Sequence, residues 1–295
     1  MFLGRLAMIA AVFIWGSTFV ITKSVLDELG PFCLAALRFG LATILLMPAN
    51  INGFTEYRAQ LRQLAMAGFL GVSLFVGLQN LGLRYTSAAS AGLILGSIPA
   101  FTLAISAVVL REPLFASRML GVLASISGTA LVVLGNKGKT SASSFVGDVL
   151  VLSAAICWAV YTVKSKALAG RVPQSLLTAS NMGFGFLFLL PASILEAAIQ
   201  GFHIPPIKTW LAIAYLGAVA SGAAYSLWNY GLKTVSAAEA GIITNLTTLV
   251  AVLAAALVGE RITLPQAVGG VLIMAGVCLA SMPVTEAQSK GEMDK

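Results

Sequence analysis

Charge is scarce in this sequence. Lysine, arginine, aspartate and glutamate together make up 10% of its 295 residues, with eleven acidic residues among them. Water-soluble domains carry about 25% charged residues, so this chain cannot cover a water-facing surface of its own. Hydrophobic residues make up 58% of the chain, and its mean hydropathy is +0.93. The composition therefore predicts a protein that buries most of its surface in a lipid bilayer.

Reactive side chains are equally sparse. Cys33, Cys157 and Cys278 lie far apart inside apolar runs, which is typical of small buried hydrophobes and not of a disulfide framework or a metal site. His203 is the one histidine, and no metal-ligand spacing, nucleophile elbow or phosphate-binding loop occurs in the sequence. We therefore expect no metal and no cofactor, and a membrane-embedded enzyme is the weaker alternative.

The net charge of +7 does not indicate a nucleic-acid partner. Lysine and arginine stand singly between apolar runs and do not gather on one segment. The expected partners are the lipid bilayer and a small-molecule substrate. The sequence leaves open whether the chain is a monomer or a homodimer.

What the sequence has in abundance is long apolar runs of a length that suits membrane helices. They are continuous and lack the alternation of strands, so the predicted fold class is an all-α membrane protein of about ten transmembrane helices. The first run has no cleavage site after it, and we expect it to stay as a helix rather than to act as a signal peptide. The predicted spans are Leu6 to Leu26, Phe32 to Pro48, Leu64 to Leu83, Ala88 to Leu110, Arg118 to Leu134, Asp148 to Leu168, Leu176 to Ala198, Trp210 to Leu232, Ala238 to Val258 and Pro265 to Met282.

The two halves of the chain resemble each other. Trp15 and Lys23 recur at the same spacing as Trp158 and Lys166. Other matching features are two Asn-x-Gly-Leu-basic segments, at 80–84 and 229–233, and the pairs Glu112 with Glu260, Gly121 with Gly269, and Gly128 with Gly276. This pattern predicts two repeats, 5–134 and 148–282, joined by a linker at 135–147 and followed by a disordered tail at 283–295.

A repeat that crosses the membrane five times must insert its second copy from the opposite side, so we expect inverted repeats around a shared site. If the amino terminus is placed in the cytoplasm, about twice as many lysine and arginine residues lie on the cytoplasmic side of the membrane as on the outer side. Lys137 and Lys139 in the linker argue the other way. The prediction is a bacterial-type inner-membrane protein with both termini in the cytoplasm.

Several of these residues resemble the drug/metabolite transporter superfamily, and within it the EamA family of ten-helix carriers. The resemblance covers Leu6 to Met282 and rests on the following features: Trp15-Gly16-Ser17, Arg38-Phe39, the Ala/Ser-rich start of the fourth run up to Pro99, and Glu112 and Glu260, each followed by a glycine-containing helix. It implies an alternating-access carrier, often an exporter of amino acids or other metabolites. Relatives of the same architecture move nucleotide sugars, sugars or organic anions, so the fold does not choose the substrate.

Arg38 is the clearest candidate for substrate binding. A charge inside hydrocarbon is costly, and a guanidinium can hold a carboxylate or a phosphate by two parallel hydrogen bonds. The alternative is that Arg38 reaches the interface or backbone carbonyls and only fixes the bundle. Its counterpart in the second half is the uncharged Asn181.

Polar and aromatic side chains supply the remaining candidates. Trp15 with Thr18, and Trp158 with Tyr161, form matching stripes at helical spacing, and Gln79, Trp228 and Asn245 are polar or aromatic positions that differ between the halves. Helix packing and interfacial anchoring are the alternative roles for these residues. A channel is the second rival function, because symmetry alone does not exclude it.

The first run has no acidic residue before Asp27. Small multidrug exporters of the same superfamily rely on a glutamate deep in that helix, so a cationic-drug antiporter of that type is disfavoured. Glu239 and Glu196 are candidates for proton coupling, with capping of helix ends as the favoured alternative.

Overall fold

The computed structural model describes residues 2–109, 116–135, 142–166, 168, 171–201, 204–232 and 237–280. Within these ranges the chain is helical and forms no β-strand, which confirms the predicted all-α class. The predicted tail, residues 136–141 of the predicted linker and Glu112 lie outside the described residues. The α-helices are α1 (Phe2–Val25), α2 (Pro31–Leu46), α3 (Ile51–Glu56), α4 (Leu61–Gly68), α5 (Phe75–Tyr85), α6 (Ala88–Leu95), α7 (Ile98–Val109), α8 (Ala116–Gly135), α9 (Ala142–Lys166), α10 (Gln174–Gln200), α11 (Ile207–Ala214), α12 (Ala224–Leu232), α13 (Ala237–Leu257) and α14 (Leu264–Ala280).

Several of these helices are long and apolar enough to cross a bilayer, which needs about 20 residues. In the described part of the chain six spans meet this requirement: Phe2–Val25, Arg58–Tyr85, Ala88–Val108, Ser144–Lys164, Gln174–Gln200 and Ile207–Trp228. The segments Pro31–Leu46 and Pro48–Glu56 form a seventh if the bend of 55° between them is counted within one span. Three further apolar helices are shorter, so a topology of ten spans stays a prediction.

The helices are less regular than the apolar runs suggest. The third and eighth runs each contain a π-helical segment, Phe69–Leu74 and Tyr215–Ala223. A π turn leaves backbone groups available to other partners and often marks a functional site. The fourth run is divided at Gly96 and Ser97, just before Pro99, into α6 and α7.

Glycines bring pairs of helices into backbone contact. Helices α8 and α14 pack along their lengths, and a Cβ atom placed on Gly121 would lie 2.5 Å from the carbonyl oxygen of Gly276. One placed on Gly128 would lie 2.6 Å from the carbonyl oxygen of Gly269. Small residues permit this approach, and in lipid such close packing replaces the hydrophobic effect as the main force between helices.

A second kind of glycine contact joins α5 to α9 and α12 to α1, so that each half of the chain packs on the other half. A Cβ atom on Gly82 in α5 would lie 2.8 Å from the carbonyl oxygen of Gly147 in α9. One on Gly231 in α12 would lie 2.8 Å from the carbonyl oxygen of Gly4 in α1. The two halves of the chain are therefore interlocked and do not stand side by side as separate bundles.

The ends of the described chain lie at the same end of the bundle. Lys23 near the end of α1 approaches Glu260, which lies four residues before the first residue of α14. Helix α14 therefore begins where α1 finishes. It leads away from that end alongside α6, because Gln266 Nε2 donates to Ser90 Oγ and a Cβ atom on Gly270 would lie 2.7 Å from Leu93 Cδ2. Phe2 and Ala280 share the other end of the bundle, opposite the one that holds Lys23 and Glu260.

Candidate functional site

A cavity lies between the two halves of the chain. Its walls are formed by α1, α2, α5, α6 and α7 from the first half and by α9, α12 and α13 from the second. Its volume is about 140 Å³, close to that of an engineered protein cavity that binds benzene, about 150 Å³. The cavity thus has room for a small organic solute.

Arg38 provides the cationic part of the wall. It is 6% exposed, and its Nε donates a hydrogen bond of 2.7 Å to Ser221 Oγ. No acidic side chain in the described ranges pairs with it, and its terminal amino groups make no hydrogen bond there. Ser221 holds one side of the guanidinium and leaves its two-pronged end available to a solute in the cavity.

The π-helical segment Tyr215–Ala223 positions both Arg38 and Trp15. Trp15 Nε1 donates a hydrogen bond of 3.0 Å to the carbonyl oxygen of Ala220, the residue before Ser221. Ser17 Oγ lies 2.8 Å from the hydroxyl oxygen of Tyr215 in the same segment. A π turn does not use its carbonyl groups in the regular α-helical hydrogen-bond pattern. Its carbonyl oxygens can therefore accept hydrogen bonds from side chains in the first half of the chain.

Aromatic rings form two clusters beside the cavity. Trp15 packs against Tyr225 and Trp228, with ring centroids 5.1 and 5.4 Å apart. Trp158 packs against Phe75 at 4.6 Å and against Tyr161 at 5.1 Å. These separations are within the range of favourable aromatic pairs. The clusters make large parts of the wall rigid and apolar.

The polar side chains of the wall lie on particular helices, and α13 provides four of them. Thr18 Oγ1 is tied to its own helix by a 2.6 Å hydrogen bond to the carbonyl oxygen of Trp15. In contrast, Asn245 Nδ2 and Thr247 Oγ1 are buried and have no hydrogen-bond partner among the described residues. Buried polar atoms without a partner are unusual and require an explanation. A solute in the cavity would supply partners for them.

The structure brings six of the eight predicted binding residues to the wall of this cavity: Trp15, Thr18, Arg38, Gln79, Trp158 and Asn245. The other two, Tyr161 and Trp228, are not on the wall but pack behind Trp158 and Trp15. The hydroxyl of Tyr161 accepts a 2.7 Å hydrogen bond from Asn181, the counterpart of Arg38. Contact of any of these side chains with a solute stays a prediction.

Of the two acids considered for proton coupling, Glu196 lies away from the cavity. Its Oε2 accepts hydrogen bonds from the backbone nitrogens of Phe32 (2.9 Å) and Cys33 (2.8 Å), at the start of α2. A carboxylate is favourable there because the first amide groups of a helix lack partners within it. This is the capping role that was the favoured alternative. The side chain of Glu239 lies outside the described residues.

Sequence reasoning missed several residues of the site. Phe75 and Tyr225 line the cavity, and Ser221 binds Arg38 from behind it. Phe75 stands in an apolar run where nothing distinguishes it from a lipid-facing ring. Ser221 stands in the small-residue stretch 217–224, which predicts close helix packing and gives no indication of a hydrogen bond to a distant arginine.

Polar contacts join the halves at the end of the bundle that holds Lys23. Glu260 accepts hydrogen bonds of 3.0 Å from the backbone nitrogens of both Ala88 and Ala89, and its Oε1 lies 3.4 Å from Lys23 Nζ. Lys23 also donates a 2.5 Å hydrogen bond to the carbonyl oxygen of Thr86, whose hydroxyl donates to Asp148. We call the side chains of Lys23, Thr86, Asp148 and Glu260 the polar latch.

Comparisons with known proteins agree with this architecture. The EamA-like transporter family matches residues 2–134 and 145–282. The "Uncharacterized transporter YyaM" of Bacillus subtilis is 29% identical over 90% of this chain and 89% of its own length. A solved crystal structure shares the fold at a TM-score of 0.63, with 23% identity over 94% of this chain and 95% of that one.

Two relatives have names that mention a solute. The "Probable terminal-alkyne amino-acid exporter" of Streptantibioticus cattleyicolor is 30% identical over 92% of this chain and 91% of its own length. The "Probable amino-acid metabolite efflux pump" of Salmonella typhimurium is 29% identical over 93% of both chains.

A bundle of apolar helices with a cavity between its halves defines the chain as a multi-pass membrane transporter. It belongs to the EamA-like transporter family, and so to the drug/metabolite transporter superfamily.

Proposed function

We propose that this protein moves a small organic metabolite across the inner membrane by alternating access, in the direction of export. Ten membrane spans form two inverted repeats, 5–134 and 148–282. Both termini lie in the cytoplasm. The observation that carries the proposal is the position of the cavity at the seam between the two halves, where movement of one half against the other changes its access.

The glycine contacts support the inverted arrangement. Sequence similarity pairs Gly121 with Gly269 and Gly128 with Gly276. Exchanging the members of each pair converts the Gly121–Gly276 contact into the Gly269–Gly128 contact, which is also present. A two-fold axis perpendicular to these antiparallel helices produces such an exchange, and an axis of this kind lies in the membrane plane.

The α5–α9 and α12–α1 contacts follow the same rule. Gly82 corresponds to Gly231 in the sequence, and Gly4 precedes Gly147 by the 143 residues that separate Trp15 from Trp158. The contact of Gly82 with Gly147 therefore has its counterpart in that of Gly231 with Gly4.

The polar latch supports alternating access. It ties α1 and the start of α6 to α9 and the segment before α14 at one end of the bundle. Opening the cavity at that end requires these contacts to part. In the proposed orientation the latch lies on the outer face of the membrane, so the latched conformation is closed to the outside.

An amino acid or a derivative of one is the leading candidate substrate. Two relatives of nearly full coverage bear names that mention amino-acid export or amino-acid metabolite efflux. A nucleotide sugar, a sugar or an organic anion is the alternative within the same fold. A channel or a membrane-embedded enzyme is less favoured, because the cavity is small, lies between the halves and is lined mainly by apolar side chains.

Reconstitution into liposomes tests the proposal. A carrier shows saturable uptake of a labelled solute, and uptake accelerates when unlabelled solute is present inside the vesicles. A panel of amino acids, their deaminated and acylated derivatives, and sugars covers the candidate substrates. Unsaturable flux or ionic conductance would identify a pore instead.

Replacing Trp158 by alanine is expected to reduce the initial rate of transport by about tenfold, while expression stays near the wild-type amount. The substitution removes a ring of the cavity wall, and aromatic side chains in such sites commonly contribute more than about 1 kcal/mol, where about 1.4 kcal/mol is a factor of ten. Arg38→Ala should likewise impair transport more than expression.

Trp210→Ala is the matched control, because it removes a ring of the same size from the outer surface of the bundle, where Trp210 is 42% exposed. Uptake by Trp158→Ala at the wild-type rate would rule out a role for this ring in the site.

A further inference from the structure

The charge balance of the cavity is unequal. Arg38 is the one charged side chain on the wall formed by the described residues. The described acids are engaged or placed elsewhere: Glu28 pairs with Lys208, Glu196 caps α2, Glu260 and Asp148 belong to the polar latch, and Asp27 and Glu56 are exposed. Among the described residues, Arg38 is therefore a cation on the cavity wall without a counter-ion.

A buried charge without a partner is costly. Removing one member of a buried ion pair strongly destabilises a protein, because the remaining charge is left uncompensated. A solute with a single negative charge relieves this cost at Arg38. A solute with an additional ammonium restores an unpaired cation in the cavity, and one with a second carboxylate introduces an unpaired anion.

We propose that the cavity selects organic monoanions, each with one carboxylate held by Arg38 and an apolar body against the aromatic wall. This inference rests on the proposed function, and it defines the substrate class of the same site. Within the amino-acid derivatives, it favours those whose amino group is absent or acylated over the zwitterionic amino acids themselves.

The geometry around Arg38 suits a carboxylate. Ser221 occupies Nε, so the two terminal amino groups can each donate to one carboxylate oxygen, as in bidentate arginine–carboxylate pairs. Asn245 Nδ2 is a buried donor without a described partner and lies on the same cavity. It could donate a further hydrogen bond to a carboxylate oxygen of the solute, because each such oxygen can accept more than the one bond that Arg38 donates to it.

The aromatic clusters supply the apolar part of the cavity wall. Trp15 already packs against two rings, Tyr225 and Trp228, and Trp158 packs against Phe75 and Tyr161. Trp15 and Trp158 present ring surface to the cavity, where it can contact the apolar body of a solute.

Four probes with one ring and different charges test the proposal on purified protein in detergent. They are phenylacetate (monoanion), phenylglycine (zwitterion), phenylmalonate (dianion) and benzylamine (cation) at neutral pH. Binding is followed by calorimetry and by the fluorescence of Trp15 and Trp158. We expect phenylacetate to bind at least about tenfold more tightly than each of the other probes. This difference in affinity is smaller than the full cost of an unpaired buried charge.

Two substitutions assign the selectivity to Arg38. Arg38→Gln should weaken phenylacetate binding by about tenfold or more and abolish the preference for the monoanion. Arg84→Gln is the matched control, since Arg84 is exposed and outside the cavity wall, and it should leave binding unchanged. Ser221→Ala keeps the charge, so it should weaken binding and retain the preference.

Equal or tighter binding of phenylglycine, or no binding of any probe to the wild-type protein, would overturn the monoanion site. These measurements do not require transport. Monoanion-selective binding without saturable uptake in liposomes would contradict the carrier function alone, and uptake confined to zwitterions would contradict the monoanion site alone.

Discussion

Replacing Gly276 by leucine is expected to disrupt the bundle. Even a Cβ atom at this position would lie 2.5 Å from the carbonyl oxygen of Gly121 and 2.6 Å from the backbone nitrogen of Ser125. Both are backbone atoms, which cannot turn aside as the end of a side chain can, so α8 and α14 must separate. We expect a loss of about 3 kcal/mol or more, measured as a fall of about 5 °C or more in the melting temperature in detergent.

The neighbouring substitution Ala275→Leu is the control. Ala275 is exposed on the same helix, so the added side chain meets lipid and not α8. It should leave the melting temperature within about 1 °C of wild type, as surface changes usually do. A Gly276→Leu protein as stable as Ala275→Leu would show that α8 and α14 do not pack as described.

Replacing Glu260 by glutamine is expected to open the latched end of the bundle. The change removes the charge that attracts Lys23 and weakens the two hydrogen bonds from Ala88 and Ala89. Hydrogen bonds to a charged group contribute about 1.5–3 kcal/mol each, and each 1.4 kcal/mol changes a conformational ratio about tenfold. The population that is open at this end should therefore rise by about tenfold or more.

A cysteine at Thr22 reports this opening. Thr22 is 1% exposed and lies between the cavity residues Thr18 and Phe19 and the polar latch at Lys23. In a protein whose three native cysteines are replaced by alanine, a membrane-impermeant thiol reagent applied at the latched end should label Thr22→Cys about tenfold faster when Glu260→Gln is present.

Glu28→Gln is the control, because it removes a carboxylate of the Glu28–Lys208 ion pair at the same end without touching the polar latch. Its labelling rate should match that of Thr22→Cys alone. Unchanged labelling in Glu260→Gln would mean that the polar latch does not control access to the cavity.

Much of the helical architecture could be predicted from composition, because each apolar run is long enough to need a helix in lipid. The irregularities could not. The π-helical segments at Phe69–Leu74 and Tyr215–Ala223 and the division of the fourth run at Gly96 depend on what each helix packs against. The ten-span count and the inverted repeats were predicted from the same runs and stay predictions.

The candidate site was predictable where a residue is unusual for its surroundings. Arg38, Gln79 and Asn245 are polar side chains inside apolar runs, and each lies on the cavity wall. Tyr161, predicted from its helical spacing, and Trp228, predicted because it differs between the halves, are not on the wall. They pack against Trp158 and Trp15.

The sequence by itself determined that this protein is helical and embedded in a bilayer, since scarce charge and long apolar runs allow no other solvent. Its motifs also identified it as a member of a transporter family. Only the tertiary structure decided that Ser221 holds Arg38, that Glu196 caps α2 and that Glu260 joins Lys23 across the halves. These contacts join residues more than 160 positions apart. A helix-forming run specifies its own backbone hydrogen bonds but leaves the partners of its side chains to packing.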